Sequence, residues 1–309
     1  MIGSCMSQDA LREYVAAHCA ALEYAVEKLD PNWKHSHVLE ELLCDAKKKL
    51  EAMTPQTGEM ASFTRDRKTE KYTNWVEVMR LASFQYERFS QSGRAKSEGL
   101  YATLLALAST WNRGHEVERI LVPGCGPGRS VLDFARAYPN SKVIGMDYSF
   151  LSLILGEQIV HGNKGVALVR RDVDCEDDIS DILQIPGFGL KNAEFCLCDL
   201  VESELPLCDM IVCSNTLNLL PDHRAAAKKL SDALTPGGLL IFADLTGWRL
   251  DREPGRKILR NDRMIRDTFE DAGLITLDQF RGVPYIESES DDQNTVYYEH
   301  FYVGKKGQG

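Results

Sequence analysis

No run of apolar residues among the 309 approaches the length a helix needs to cross a bilayer, and the first residues lack the apolar core of a signal peptide. The expectation is a chain that works in the cytoplasm or the nucleus, with no membrane partner. An excess of basic residues is missing too: Lys and Arg number 36 against 46 Asp and Glu, a formal charge of −10. Nucleic-acid binding rests on clustered cations, so no nucleic-acid partner is expected. The nine cysteines include no C-x-x-C pair. Scattered, and in several cases inside apolar strand-like runs, they read as reduced thiols acting as small hydrophobes, and no metal site is expected. Repeats and low-complexity tracts are absent. What remains is the composition of an ordinary globular protein, long enough for one large core or two modest ones.

The most informative stretch that is present runs VPGCGPGR from Val122 to Arg129, followed by KVIGMD ending at Asp147. Ile120, Leu121 and Val122 read as a short buried strand that Pro123 ends. Gly124, Gly126 and Gly128 let the backbone turn tightly and approach a ligand that a Cβ would push away. Val131, Leu132 and Ala135 then keep helical spacing, and a second apolar strand ends on Asp147, nineteen residues after Gly128. Strand, glycine loop, helix, strand and acid in that order predict the first βαβ unit of a doubly wound sheet, with the loop under a nucleotide-type cofactor and the acid on its ribose. A dinucleotide loop has the pattern G-x-G-x-x-G. Here the pattern is G-x-G-x-G followed by Arg129, whose guanidinium suits the carboxylate of a methionine moiety. The loop therefore favours S-adenosylmethionine.

Residues 1–115 read as a helical region. Leu11, Val15, Cys19, Leu22, Val26 and Leu29 share one helical face, and Leu39, Leu43, Ala46 and Leu50 resume it after Asp30-Pro31-Asn32. Trp75 to Phe89 and Leu100 to Leu107 suggest third and fourth helices. From 116 to 309 strands alternate with helices, predicting a seven-stranded, mostly parallel sheet of Rossmann-like α/β class. Strands are expected at 119–123, 142–147, 194–198, 209–214, 238–245, 276–281 and 295–303, and helices near 129–138, 149–161, 222–234 and 255–272. The segment 162–191 is too long for a simple connection and carries Asp172, Asp174, Glu176, Asp177 and Asp178, either a functional insert or a solvated charge run.

In a doubly wound sheet the C-terminal strand ends line the ligand crevice. Those ends are Gly124, Asp147-Tyr148, Asp199-Leu200, Ser214-Asn215-Thr216 and Asp244. Asp199 reads equally as an acceptor for an adenine amino group or as the cap of the next segment, with Leu200 supplying a backbone N–H and an apolar face. Asp244 reads equally as a turn residue.

The order of these signals resembles the class I adenosylmethionine-dependent methyltransferases across 119–304, the closing YYEHFYVGKK looking like their antiparallel seventh strand. GRAKSEGLY (93–101), ILVPGCGPGR, DYSFLSL (147–153), DVD (172–174) and VYYEHFYV together resemble the carnosine N-methyltransferase family. That resemblance implies Gly124, Gly126 and Arg129 at the methionine end of the cofactor, Asp147 at the ribose, Asp199 at the adenine and Tyr101 closing over it. Tyr297 and Tyr298 would face the substrate, with alternation allowing one of them on the pocket side. The family's Asp-Thr-Ala-His-Asn segment is replaced here by SNTLNLLPD (214–222), and the Pro after its Asp-Val-Asp by Cys175. The expected cofactor is adenosylmethionine, giving adenosylhomocysteine, and the expected acceptor is a small imidazole-bearing molecule such as histidine, carnosine or a thiolated histidine. Asn218, Tyr297, Tyr298 and His300 are the candidates for orienting it. The Tyr138-x-x-x-Lys142 spacing of a dehydrogenase is interrupted by Pro139, and the Asn/Asp-Pro-Pro-Tyr of nucleic-acid amino-methyltransferases is absent after the fourth strand.

Overall fold

The computed structural model describes residues 2–27, 36–53, 91–163, 165–171, 180–220, 222–245, 259–288 and 294–308. Strand β1 (Gly3–Ser4) is followed by helices α1 (Gln8–Glu27), α2 (Ser36–Glu51) and α3 (Gln91–Asn112). Then come β2 (Arg119–Pro123), α4 (Arg129–Ala137), β3 (Lys142–Asp147) and α5 (Phe150–His161). Strands β4 (Val166–Arg171), β5 (Ser180–Ile185), β6 (Ala193–Leu197) and β7 (Cys208–Ser214) lead to a 3-10 turn at Leu217–Leu219. The chain closes with α6 (His223–Ala233), β8 (Leu234–Leu245), α7 (Asp262–Asp271), β9 (Leu274–Ser288) and β10 (Asn294–Lys306).

The main sheet has the order β1-β6-β3-β2-β7-β8-β10-β9. Strands β1 to β8 within it run parallel, while β10 is antiparallel to both β8 and β9. This is the expected doubly wound, mostly parallel α/β architecture. Its strands are buried on both faces and read as near-continuous apolar runs, as parallel sheets require. One face packs Val122, Val143, Ile241, Phe301 and Val303 against the core under α1 to α5. The other packs Leu121, Ile211, Phe242 and Tyr302 against Leu230 of α6 and Phe269 of α7. Among the described residues no helix is long and apolar enough to cross a membrane.

Three features depart from the pattern read in the sequence. An eighth strand, β1, joins the sheet edge by pairing Gly3 with Cys196 and Ser4 with Leu197. Two residues cannot display a periodicity, so nothing local announces it. The segment 162–191 folds back as the two-stranded antiparallel sheet β4-β5, apart from the main one. Its acidic cluster at 172–178 lies outside the described residues, as does the helix expected from Trp75 to Phe89. The helix expected near 255 is described from Asp262, where Asn261 caps it by accepting from the Met264 N–H at 3.0 Å.

Helix α3 is no appendage. Leu100, Leu104, Leu107 and Ala108 are buried in the same core as the sheet. Helix α1 reaches the end of β3: the Tyr14 hydroxyl donates to the Tyr148 carbonyl and accepts from the Phe150 N–H at 3.1 Å.

Candidate active site

The loop after β2 is shaped by its glycines. Gly124, Gly126 and Gly128 all have φ in the left-handed region, at 63°, 53° and 82°. Two of them are also required by close approach. A Cβ on Gly124 would lie 2.0 Å from Thr216 Oγ1, and one on Gly128 2.8 Å from Phe195 Cζ. The loop therefore lies flat against the segment after β7 on one side and against β6 on the other.

Asp147, at the end of β3, locks this loop. Its Oδ2 accepts from the Gly126 N–H at 2.7 Å and its Oδ1 from the Ser149 N–H at 2.8 Å. A carboxylate offers about four lone-pair sites, so it can hold a loop and still accept from vicinal hydroxyls. Gly128 caps α4 without a side-chain hydrogen bond, and Arg129 opens the helix. Arg129 is 5% exposed. Its Nε donates to Asp133 Oδ2 at 2.7 Å, and its guanidinium lies over the Tyr101 ring, 4.9 Å from the centroid. That stacking brings α3 to the head of α4, so Tyr101 joins the loop across the sequence. Tyr148 is flanked by α1, with its ring edge-on to Tyr14 at 5.0 Å and to His18 at 5.9 Å. Burial pushes His18 down to about 4, leaving the ring neutral at physiological pH.

Asp199 follows β6 and takes the capping position: its Oδ1 accepts from the N–H groups of Val201 at 2.8 Å and Glu202 at 3.2 Å. Leu200 is buried in the α6 and α7 core. Ser214 ends β7, where its carbonyl accepts from Thr216 Oγ1 at 2.8 Å. Asn215 adopts φ 50°, held by its N–H on the Ala243 carbonyl at 2.9 Å, and its Nδ2 donates to Glu299 Oε1 at 2.9 Å.

The four residues read as acceptor-orienting are not brought together. Asn218 is buried and bridges within the protein: its Nδ2 donates to the Leu245 carbonyl at 2.9 Å and its Oδ1 accepts from the Leu259 N–H at 2.8 Å. His300 is buried with its Nδ1 against Asp262 Oδ1, on the α7 side of the sheet. Tyr298 stands opposite Pro284 and is 55% exposed. Tyr297, half-buried, faces the other way and shares its side with Glu299.

Two acids emerge that the sequence reading left aside. Asp244 at the end of β8 accepts from the N–H groups of Asn218 at 3.2 Å and Leu245 at 2.8 Å. Burial pushes it up to about 7. Glu299 is fully buried and burial pushes it up to about 8, against the lowering bond from Asn215. The signal for Glu299 was its place in Tyr297-Tyr298-Glu299. Alternation in β10 puts it with Phe301 and Val303 on a core face, where an acid needs a reason.

Comparison with known proteins bears on residues 121–240, which match the family model described as a methyltransferase domain. A curated relative, the trans-aconitate 2-methyltransferase of Variovorax paradoxus (strain S110), is 27% identical over 131 residues, 41% of this chain and 38% of that protein. The match thus spans well under half the length of that relative. Among solved structures, the N-methyltransferase NodS of Bradyrhizobium japonicum WM9 in complex with S-adenosylhomocysteine aligns with TM-score 0.48 and 15% identity, covering 74% of this chain and 98% of NodS. A phosphoethanolamine N-methyltransferase 2 of Haemonchus contortus aligns with TM-score 0.47 and 15% identity, covering 74% of this chain and 60% of that one. Residues 121–240 thus match a methyltransferase domain, and they are set in the doubly wound α/β fold described above.

Proposed function

We propose that the protein is an S-adenosylmethionine-dependent N-methyltransferase acting on a small imidazole-containing metabolite such as histidine, carnosine or a thiolated histidine. The observation that carries the cofactor is the lock between the left-handed glycine loop and Asp147. On this reading Asp147 takes the ribose hydroxyls and the loop backbone meets the methionine end. Arg129 supplies a cation for the methionine carboxylate, and Tyr101, through its stacking on Arg129, keeps that cation at the head of α4. The adenine would lie by Asp199 and Leu200, flanked by Ser214 and Asn215. Helices α1 and α3 act as a cover, since Tyr14 and Tyr101 each reach the residues assigned to the cofactor.

Adenosylmethionine supplies an electrophilic methyl group already activated by its sulfonium. The chain's task is to align the attacking nitrogen and exclude water. A neutral imidazole nitrogen needs orientation more than a strong base, its ordinary pKa being about 6.5. Tyr297, on the face of Glu299, is the tyrosine we assign to the acceptor. Asn218, Tyr298 and His300 are the weaker assignments, being engaged in the protein or exposed.

The test is a panel of histidine, carnosine and thiolated histidine incubated with adenosylmethionine, read by mass spectrometry for the gain of one methyl group. Methylation of one of them on a ring nitrogen, falling off below about pH 6 as the imidazole protonates, is the expected result. Failure of all three, with trans-aconitate or another carboxylate methylated instead, would refute the acceptor class.

A further inference from the structure

Glu299, which the cofactor assignment leaves unused, pairs with half-buried Asn215 beside the adenine position. Glu299 lies on β10 across from Leu245, the last residue of β8, and is 0% exposed. Asn215 follows directly on β7, so the two meet at the C-terminal edge, where doubly wound sheets take their ligands. Their single mutual bond uses Asn215 Nδ2 and Glu299 Oε1, at 2.9 Å. Glu299 Oε2 and Asn215 Oδ1 are both buried and have no hydrogen-bond partner among the described residues. Asn215 sits in a left-handed turn, a conformation asparagine adopts more readily than other non-glycine residues.

A buried acceptor left unpaired is costly, and native proteins keep few of them. Here two sit together, and once Glu299 is ionised both accept. Their complement is a group rich in N–H donors. With Glu299 ionised, a carboxylate ligand would add a third acceptor and a like charge, whereas a nitrogen base brings an N–H donor to the open atoms.

On the methyltransferase reading above, we infer that Glu299 Oε2 and Asn215 Oδ1 receive the N–H groups of a nitrogen-base methyl acceptor, with Glu299 taking the proton that the acceptor must lose. The balance is simple. The new N–C bond uses the acceptor's lone pair, the sulfur keeps the electron pair of the S–C bond, and the positive charge gained by the acceptor leaves as an N–H proton to the Glu299 carboxylate. In a neutral imidazole one ring nitrogen carries the only N–H and the other the attacking lone pair, so holding that N–H against the open acceptors fixes which ring nitrogen is methylated.

The surroundings of Glu299 set its working range. Burial raises Glu299 to about 8, with Asp244 on β8 the charged group that adds to it. Tyr297 on β10 and Tyr285, opposite it on β9, lie on the same face. His300 faces the other side against Asp262, while Arg281 of β9 and Glu98 of α3 are exposed. Glu299 is thus protonated at neutral pH without a ligand, and it becomes competent as a base as the pH rises through its own titration.

The experiment uses the full chain, with adenosylmethionine and the two probes carnosine and histidine, comparing wild type with Glu299→Gln across pH. For wild type, kcat/KM is expected to climb toward pH 8. In Glu299→Gln it should fall about 100-fold, the usual scale of a lost general base, and the climb should retreat to the acceptor's own titration near pH 6.5. Adenosylhomocysteine affinity, measured by calorimetry, should stay within about twofold of wild type, which also shows that the variant folds. Asn215→Ala, which deletes the other open acceptor and with it the bond that lowers Glu299, should lose about tenfold in kcat/KM and move the pH limb upward. Binding of adenosylhomocysteine by Glu299→Gln together with wild-type rate and pH profile would overturn this inference alone. No binding of adenosylhomocysteine to the wild type would overturn the methyltransferase reading and this inference with it.

Discussion

The two halves of the sheet's C-terminal edge are built on different principles. The half formed by β2 and β3 is made of backbone: three left-handed glycines, a helix opening without a side-chain cap, and one acid holding two N–H groups. The half formed by β7, β8 and β10 is made of polar side chains: half-buried Asn215 and buried Asn218 after β7, with buried Asp244 of β8 and Glu299 of β10. A backbone site of the first kind suits a ligand whose shape never changes, and it tolerates little substitution. A side-chain site of the second kind sets which partner is accepted and can be altered one residue at a time.

That contrast is broken most severely at Gly124. Alanine there must keep a φ of 63° and place a Cβ 2.0 Å from Thr216 Oγ1. Strain and clash together are expected to cost about 3–5 kcal/mol, read as a lower midpoint in denaturant unfolding. A Gly124→Ala protein of wild-type stability would mean that the loop does not lie against Thr216.

On the other half the expected effects divide by what each side chain touches. Asn218→Ala leaves the Leu245 carbonyl and the Leu259 N–H without their partner, so a loss of about 2 kcal/mol in unfolding free energy is expected. Tyr298→Phe removes an exposed hydroxyl and should change stability by no more than about 0.5 kcal/mol. The two variants sharpen the comparison because both residues read as acceptor contacts in the sequence. If Tyr298→Phe lowers kcat/KM for carnosine or histidine more than Asn215→Ala does, the acceptor lies on the α7 side of β10 and not beside Glu299.

Legibility in the sequence follows the same division. The βαβ unit was readable because its signals are local: strand, glycines, helix and acid fall within residues 119–147, and their geometry is dictated by backbone sterics. The strands of the parallel sheet were readable because burial on both faces leaves continuous apolar runs. Strand β1 was not, since two residues pair with β6 without any pattern of their own. The fold-back of β4 and β5 was hidden because a hairpin off the main sheet lacks the alternation with helices that marked the rest. Glu299 was hidden for a different reason. A strand acid normally faces solvent, and the only signal in VYYEHFYV is that Glu299 alternates with Phe301 and Val303, which by itself does not say which of two apolar faces is deeper. The meeting of Asn215 with Glu299 spans 84 positions in the chain, and no local rule reaches that far.

Whether the glycine loop and Asp147 hold adenosylmethionine is decided by a calorimetric titration. Wild-type protein should bind adenosylmethionine and adenosylhomocysteine and show no heat with NAD. Asp147→Ala should bind them about 1–3 kcal/mol more weakly, the usual loss for hydrogen bonds to a charged group. Tight binding of NAD without adenosylmethionine, or an Asp147→Ala protein with unchanged affinity, would contradict the account.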